Sequence, residues 1–239
     1  MESLARSAPA TRRYIGPHLG AVAVAYVLLK IASVVPVSAF GIPFGVRPPF
    51  FPGLLSPIDR VATYFAAHAA QVSLCAFLQF GSAIPFGIFT AATVTRMQTL
   101  GSDVAGIRIA LFGGIMAAID EAISGAIIWA MGHPVIAQVP ALTQSFHYLA
   151  VAFGGPGFTM PQGLLMAGIS IPAGFTKRLS KTMVVFGLIL AVIGELSWFS
   201  MVSSRAGILI PLARWPGFIW LIVAGFQLSK RSHAPEPNV

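Results

Sequence analysis

Between Ala105 and Met131 the chain runs through 27 residues that are almost all apolar, and near the middle of that run stand Asp120 and Glu121. A helix of this length exceeds the roughly 20 residues needed to cross a bilayer. Only helices and closed barrels leave no backbone group unsatisfied in lipid, so such a run must be helical. An ionised side chain at mid-bilayer costs about 2.5–3.5 kcal/mol on insertion scales. A lone helix has nowhere to hide Asp120 and Glu121, so the run calls for other helices to pack against.

The rest of the chain supplies them. Apolar stretches recur at 19–40, 61–94, 143–175, 182–203 and 208–228, which with the first makes six expected spans. Hydrophobic residues are 56% and charged residues 9% of the 239, against about 25% charged in a soluble domain. The fold class is therefore all-α, a polytopic transmembrane bundle. It forms a single domain over 1–239, with short tails at about 1–17 and 229–239. The net charge of +8 does not mark a nucleic-acid binder, because its basic residues sit in short connections where they set topology. Arg6, Arg12, Arg13, Arg96, Arg108, Lys177, Arg178, Lys181, Lys230 and Arg231 fall on one side. Arg47, Arg60, Arg205 and Arg214 fall on the other, and Lys30 lies inside the first span. Ten against four puts both termini in the cytoplasm. Trp129, Trp198, Trp215 and Trp220 lie toward the outer ends and suit an interfacial belt. Arg12 and Arg13 before an apolar run, with Val37-Ser38-Ala39 after it, resemble a secretory signal. Lys30 interrupts that core, so the first helix is expected to be retained. Cys75, the single cysteine, rules out an intramolecular disulfide and reads as a buried apolar side chain.

An internal similarity adds detail. A shift of 74 residues places Phe112 on Phe186, Gly113 on Gly187, Ala117 on Ala191 and Glu121 on Glu195. A shift of 76 places Gly81 on Gly157, Pro85 on Pro161 and Gly87 on Gly163. Spans 2–3 thus recur as spans 4–5, as a parallel repeat about an axis along the membrane normal. Small residues four apart lead to each glutamate, which puts both on packing faces.

Three constellations carry candidate chemistry. The first is Lys30, Asp120, Glu121 and Glu195, the ionisable residues at membrane depth. Intramembrane charges mark sites or partners by default. The repeat pairs Glu121 with Glu195 and leaves Asp120, about 100° further round the helix, as the expected partner of Lys30. The second is His68 with Gln71 and Gln144 with His147, related by the 76-residue shift with their members exchanged. If the repeats face each other, these line a polar pocket or ligate a metal or haem; otherwise they are interhelical hydrogen bonds. The third is a set of helix breaks at Pro85, Pro156 and Pro161, since proline frees a carbonyl one turn earlier. Matching breaks in two repeats point to a binding site. No Gly-x-Ser-x-Gly, His-Glu-x-x-His, P-loop or dinucleotide motif occurs, so enzymatic activity is not indicated.

The stretch Ile193-Gly194-Glu195-Leu196-Ser197, followed by Leu209-Ile210-Pro211-Leu212-Ala213-Arg214-Trp215-Pro216-Gly217-Phe218-Ile219-Trp220-Leu221-Ile222, resembles an uncharacterised bacterial family of six-span inner-membrane proteins. The resemblance covers about residues 160–230. It implies a fold and a compartment and supplies no activity. The expectation is a membrane protein that moves a small solute or protons through a carboxylate centre. The alternatives are a haem- or metal-binding redox protein using His68 and His147, and a structural or regulatory protein. No resident cofactor is expected in the leading reading. The partners are the lipid bilayer and the solute, with room for a homo-oligomer.

Overall fold

A computed structural model describes residues 14–37, 52 and 56–230. Most of the Pro/Gly-rich connection 41–57, both tails and the Ser38-Ala39 position lie outside the described residues. Nine α-helices are present among those described: α1 Leu19–Val34, α2 Ile58–Ala67, α3 Ala69–Thr99, α4 Ala105–Met131, α5 Pro134–Ala137, α6 Pro140–Ala152, α7 Phe158–Phe175, α8 Lys181–Leu196 and α9 Leu209–Ser229. No strand occurs among the described residues. Tight 3₁₀ turns extend α1 through Val35–Val37 and α8 through Ser197–Met201, and another, Ser204–Ile208, leads into α9. Five helical stretches are long and apolar enough to cross a membrane: Leu19–Val37, Ala69–Thr99, Ala105–Met131, Lys181–Met201 and Ser204–Ser229. The protein is accordingly an all-helical multi-pass membrane protein.

The third expected span has the bounds read from the sequence. The second does not. It divides at His68, whose φ −123° and ψ 32° are not helical, into the short α2 and the long α3. Pro85 makes no break: α3 continues through it from Ala69 to Thr99. A proline ring collides with the carbonyl four residues earlier. That residue is Gly81, where a Cβ would meet nothing within 4 Å. Pro161 makes no break either: it is the fourth residue of α7, which continues through it to Phe175. The disruption is at Pro156. There a π turn, Phe153–Gly157, joins α6 to α7, and Gly155 leaves the helical dihedral range.

Six helices close into a ring. α1 packs on α3, α3 on α4, α4 on α7, α7 on α8, α8 on α9, and α9 back on α1. Neighbouring ends fix the alternation. Arg96, near the end of α3, donates to the Leu228 carbonyl at the end of α9 (3.0 Å), and Leu19 N–H at the start of α1 donates to Ser229 Oγ (3.0 Å). α7 is wedged between α4 and α8 by backbone contact. A Cβ at Gly168 would lie 2.4 Å from the Gly106 carbonyl oxygen of α4, and one at Gly194 of α8 would lie 2.6 Å from the Thr159 carbonyl oxygen. Twelve of the eighteen α7 residues are buried, so its composition need not meet the demands of a lipid-facing helix.

The short helices α2, α5 and α6 cover the C-terminal half of α4 and the start of α3. They share a satellite core around Val61, Phe65, Val72, Ile128, Met131 and Ala150. The main core lines the ring. Large apolar side chains also point outward, as with Phe112 (62% exposed) and Ile119 on α4, or Ile189 and Val192 on α8. Such a surface has no place in water over this extent and suits lipid. Trp220 departs from the expected aromatic belt. It is fully buried and donates from Nε1 to the Met183 carbonyl (3.0 Å). Trp129 and Trp198 remain about half exposed.

Candidate functional site

Lys30 is four per cent exposed and Glu121 not at all, and the two form an ion pair in which the lysine ammonium donates to Glu121 Oε1. This corrects the expected Lys30–Asp120 pairing. Asp120 is turned about the α4 axis toward the π turn, with Oδ2 3.3 Å from where a Gly157 Cβ would stand. Glu121 is the carboxylate of α4 that meets α1. Lys30 thus avoids exposure by crossing the ring interior instead of reaching for a surface.

One turn before Lys30 on the same face of α1 is Tyr26. Its ring stacks against Phe86 of α3 (centroids 4.8 Å) and Phe218 of α9 (5.6 Å). Phe86 continues to Phe158 of α7 (5.5 Å). These four rings, from four helices, wall the charged pair with apolar surface. Arg214 of α9 lies over the Phe158 ring, its guanidinium carbon 4.7 Å from the centroid. One turn further along α7, Gln162 is 1% exposed. Its amide occupies the notch left by Gly217 of α9, where a Cβ would come within 2.9 Å of Nε2.

Polar atoms here are left over. Tyr26 Oη, Glu121 Oε2, both amide atoms of Gln162 and Arg214 Nε are buried without a hydrogen-bond partner among the described residues. An unsatisfied buried polar group costs about 1–3 kcal/mol. Native structures carry only a few such groups per 100 residues; these five atoms come from four helices of the ring, α1, α4, α7 and α9.

The nearby helix break is held by side chains of the surrounding helices. Ser124 of α4 donates to the Ala150 carbonyl (2.9 Å) while accepting from Gln79 Nε2 of α3 (2.9 Å). Arg214 donates to the Gly154 carbonyl, and Thr159 to the Gly155 carbonyl (3.1 Å). Side chains of α4, α9 and α7 thus add bonds to carbonyls around the π turn, where irregular backbone at membrane depth needs protein partners.

The remaining expected site residues lie apart. Glu195 is half-buried on α8 and faces α7, with Oε1 3.3 Å from a Cβ position at Gly163. No hydrogen bond or ion pair joins it to Glu121 or Lys30 among the described residues, because α7 stands between α4 and α8. His147 is buried, donates from Nε2 to the Pro52 carbonyl (3.0 Å) and lies near the Phe65 ring. His68 stacks on Tyr64 at the α2–α3 junction. Gln144 is buried but Gln71 is exposed, so the four do not make one pocket. Among the described residues no group of three or more His, Cys, Asp or Glu side chains is placed to hold a metal ion.

No protein-family profile, curated protein or solved structure matches this chain. The site must be read from its own geometry.

Three of its members were not singled out from the sequence. Arg214 was assigned to topology, yet it stands inside an apolar stretch and not between stretches. Tyr26 lies four residues before Lys30, the helical spacing that puts two side chains on one face. Gln162 is an amide within a helix of otherwise small and apolar residues.

Proposed function

We propose that this is a transporter of a bacterial inner membrane, with both termini cytoplasmic, and that it moves a small solute or protons through the polar centre at Lys30 and Glu121. In this reading α7, with α6 leading into it, is the sixth span. The pairs α3–α4 and α7–α8 descend from one duplicated hairpin. The observation that carries the proposal is the fully buried Lys30–Glu121 pair, set inside a closed helix ring beside polar atoms with no partner. A purely structural ion pair would have its surroundings satisfied, because a partly satisfied buried network is worse than an apolar core. Glu121 is the group that takes up or releases a proton, and Lys30 is its counter-ion. The π turn at Gly154-Gly155-Pro156-Gly157 supplies a joint between α6 and α7, beside the centre and held by Arg214. A discontinuous helix at membrane depth is a recurring element of solute sites.

The test is flux in reconstituted vesicles, read with a trapped pH dye, for the parent protein, Glu121→Gln and Glu195→Gln. Loss of flux in Glu121→Gln, in protein that remains folded, is expected. Unchanged flux in that variant removes the transport role of the centre. Glu195→Gln separates the two carboxylates: it is expected to retain flux, since Glu195 faces away from the pair.

A further inference from the structure

Building on the transport reading, we infer that the polar centre binds a small carboxylate monoanion between Arg214, Gln162 and Tyr26. Two carboxylates of α4 are buried near Lys30 and Arg214: Glu121, engaged by Lys30, and Asp120, turned toward the π turn that Arg214 holds. The ion pairs among the described residues are Lys30–Glu121 and the exposed Arg108–Asp103, so Arg214 has no acid partner among them. Asp120 and Glu195 are directed at Gly157 and Gly163 respectively. Arg214, a partly exposed residue, therefore keeps a buried Nε–H that no acid occupies, and an anion can take it.

The donors select the anion. Arg214 offers a buried Nε–H with no partner, and Gln162 offers an amide N–H₂ one helical turn along α7 from the ring that Arg214 covers. A guanidinium edge suits the two oxygens of a carboxylate better than a spherical halide. The acceptors left over, Glu121 Oε2 and Gln162 Oε1, make room for one donor on the same molecule, such as a hydroxyl. The phenol of Tyr26 can serve either need. The rings of Tyr26, Phe86, Phe158 and Phe218 touch one another, with centroids 4.8–5.6 Å apart, so the anion stands beside them and not between them. A hydroxy acid uses the most of the unpartnered groups.

Trp215 follows Arg214 and packs edge-on against Phe218 (5.5 Å), so tryptophan fluorescence and the melting temperature of the detergent-purified full chain both report on the site. Sodium acetate and sodium lactate are titrated at constant ionic strength against sodium chloride, sodium sulfate and choline chloride. A saturable fluorescence change and a rise in melting temperature with acetate and lactate alone are expected. Arg214→Gln weakens the response about 10–100-fold, the loss of a charge-assisted hydrogen bond. Because Arg214 also holds the π turn, Gln162→Leu is the second variant. It removes two unpartnered atoms, so it raises the ligand-free melting temperature while weakening the acetate response. An equal response to chloride overturns the carboxylate class. A response to choline alone, no response to acetate, or an unaltered response in Gln162→Leu overturns the site. Carboxylate binding without flux in vesicles leaves this site standing and removes the transport reading. Flux that needs Glu121, without carboxylate binding, does the reverse.

Discussion

Replacing Lys30 by methionine isolates the energetics of the centre. Methionine keeps most of the apolar stem and its packing, so the change is close to removal of one charge. Glu121, with no exposed surface, then holds a carboxylate whose two oxygens both lack a donor, since Oε2 already does. Breaking a buried pair by removing one partner costs about 3–5 kcal/mol. At about 2–4 °C per kcal/mol for a chain of this size, the melting temperature in detergent falls by about 6–20 °C. Adding Glu121→Leu removes the stranded charge. Replacing a whole buried pair by apolar groups is neutral or stabilising by about 1–4 kcal/mol, so the double variant melts near or above the parent. The measurement is thermal unfolding of the four proteins of the cycle. Additive losses, with the double variant as unstable as the sum of the singles, refute the claim that Lys30 and Glu121 are partners.

Other outcomes follow from contacts elsewhere. Gly168→Leu forces a side chain against the Gly106 carbonyl and Ala110, and costs about 1–3 kcal/mol or prevents folding, whereas Gly81→Leu, with open space around it, stays within about 0.5 kcal/mol of the parent; expression and melting in parallel decide this. Ser124→Ala leaves Gln79 Nε2 without its acceptor, removes one of the bonds to the Ala150 carbonyl and lowers stability by about 1–3 kcal/mol, measured by titration with a denaturing detergent. Cys75, buried and unbonded, resists a maleimide in the folded protein and is modified at once after denaturation; rapid labelling of folded protein contradicts its placement.

The sequence specified the helices well where lipid alone dictates them. Ala105–Met131 has the same bounds in both readings, because an unbroken apolar run in a bilayer has no alternative to a helix. It was less informative wherever tertiary contacts decide. Pro85 carries the same local signal as a break, yet α3 continues through it from Ala69 to Thr99. The internal similarity gave Glu121 and Glu195 equal standing, but one meets α1 and the other meets α7. A repeat fixes what each copy contains and leaves its neighbours open. The pairing of Lys30 with Glu121 over Asp120 turns on a rotation of about 100°, which hydrophobic pattern does not resolve when both faces of a helix are apolar. Arg214 was hidden by bookkeeping: counted as a loop charge, it serves the interior.

The closed ring bears on how the chain is assembled. α1 is made, with Lys30 on it, long before its partner on α4, since 91 residues separate the two. Throughout that interval the lysine is an unpaired charge, held near the interface or by the insertion machinery. Capture by Glu121 commits α1 to the growing bundle with a gap still facing α9. The gap is sealed by α9, through a contact between Leu19 and Ser229 spanning 210 positions. The polar centre is therefore open to the side until α9 has been made. Loss of α9 would leave an open-sided bundle, with its charges turned toward the lipid.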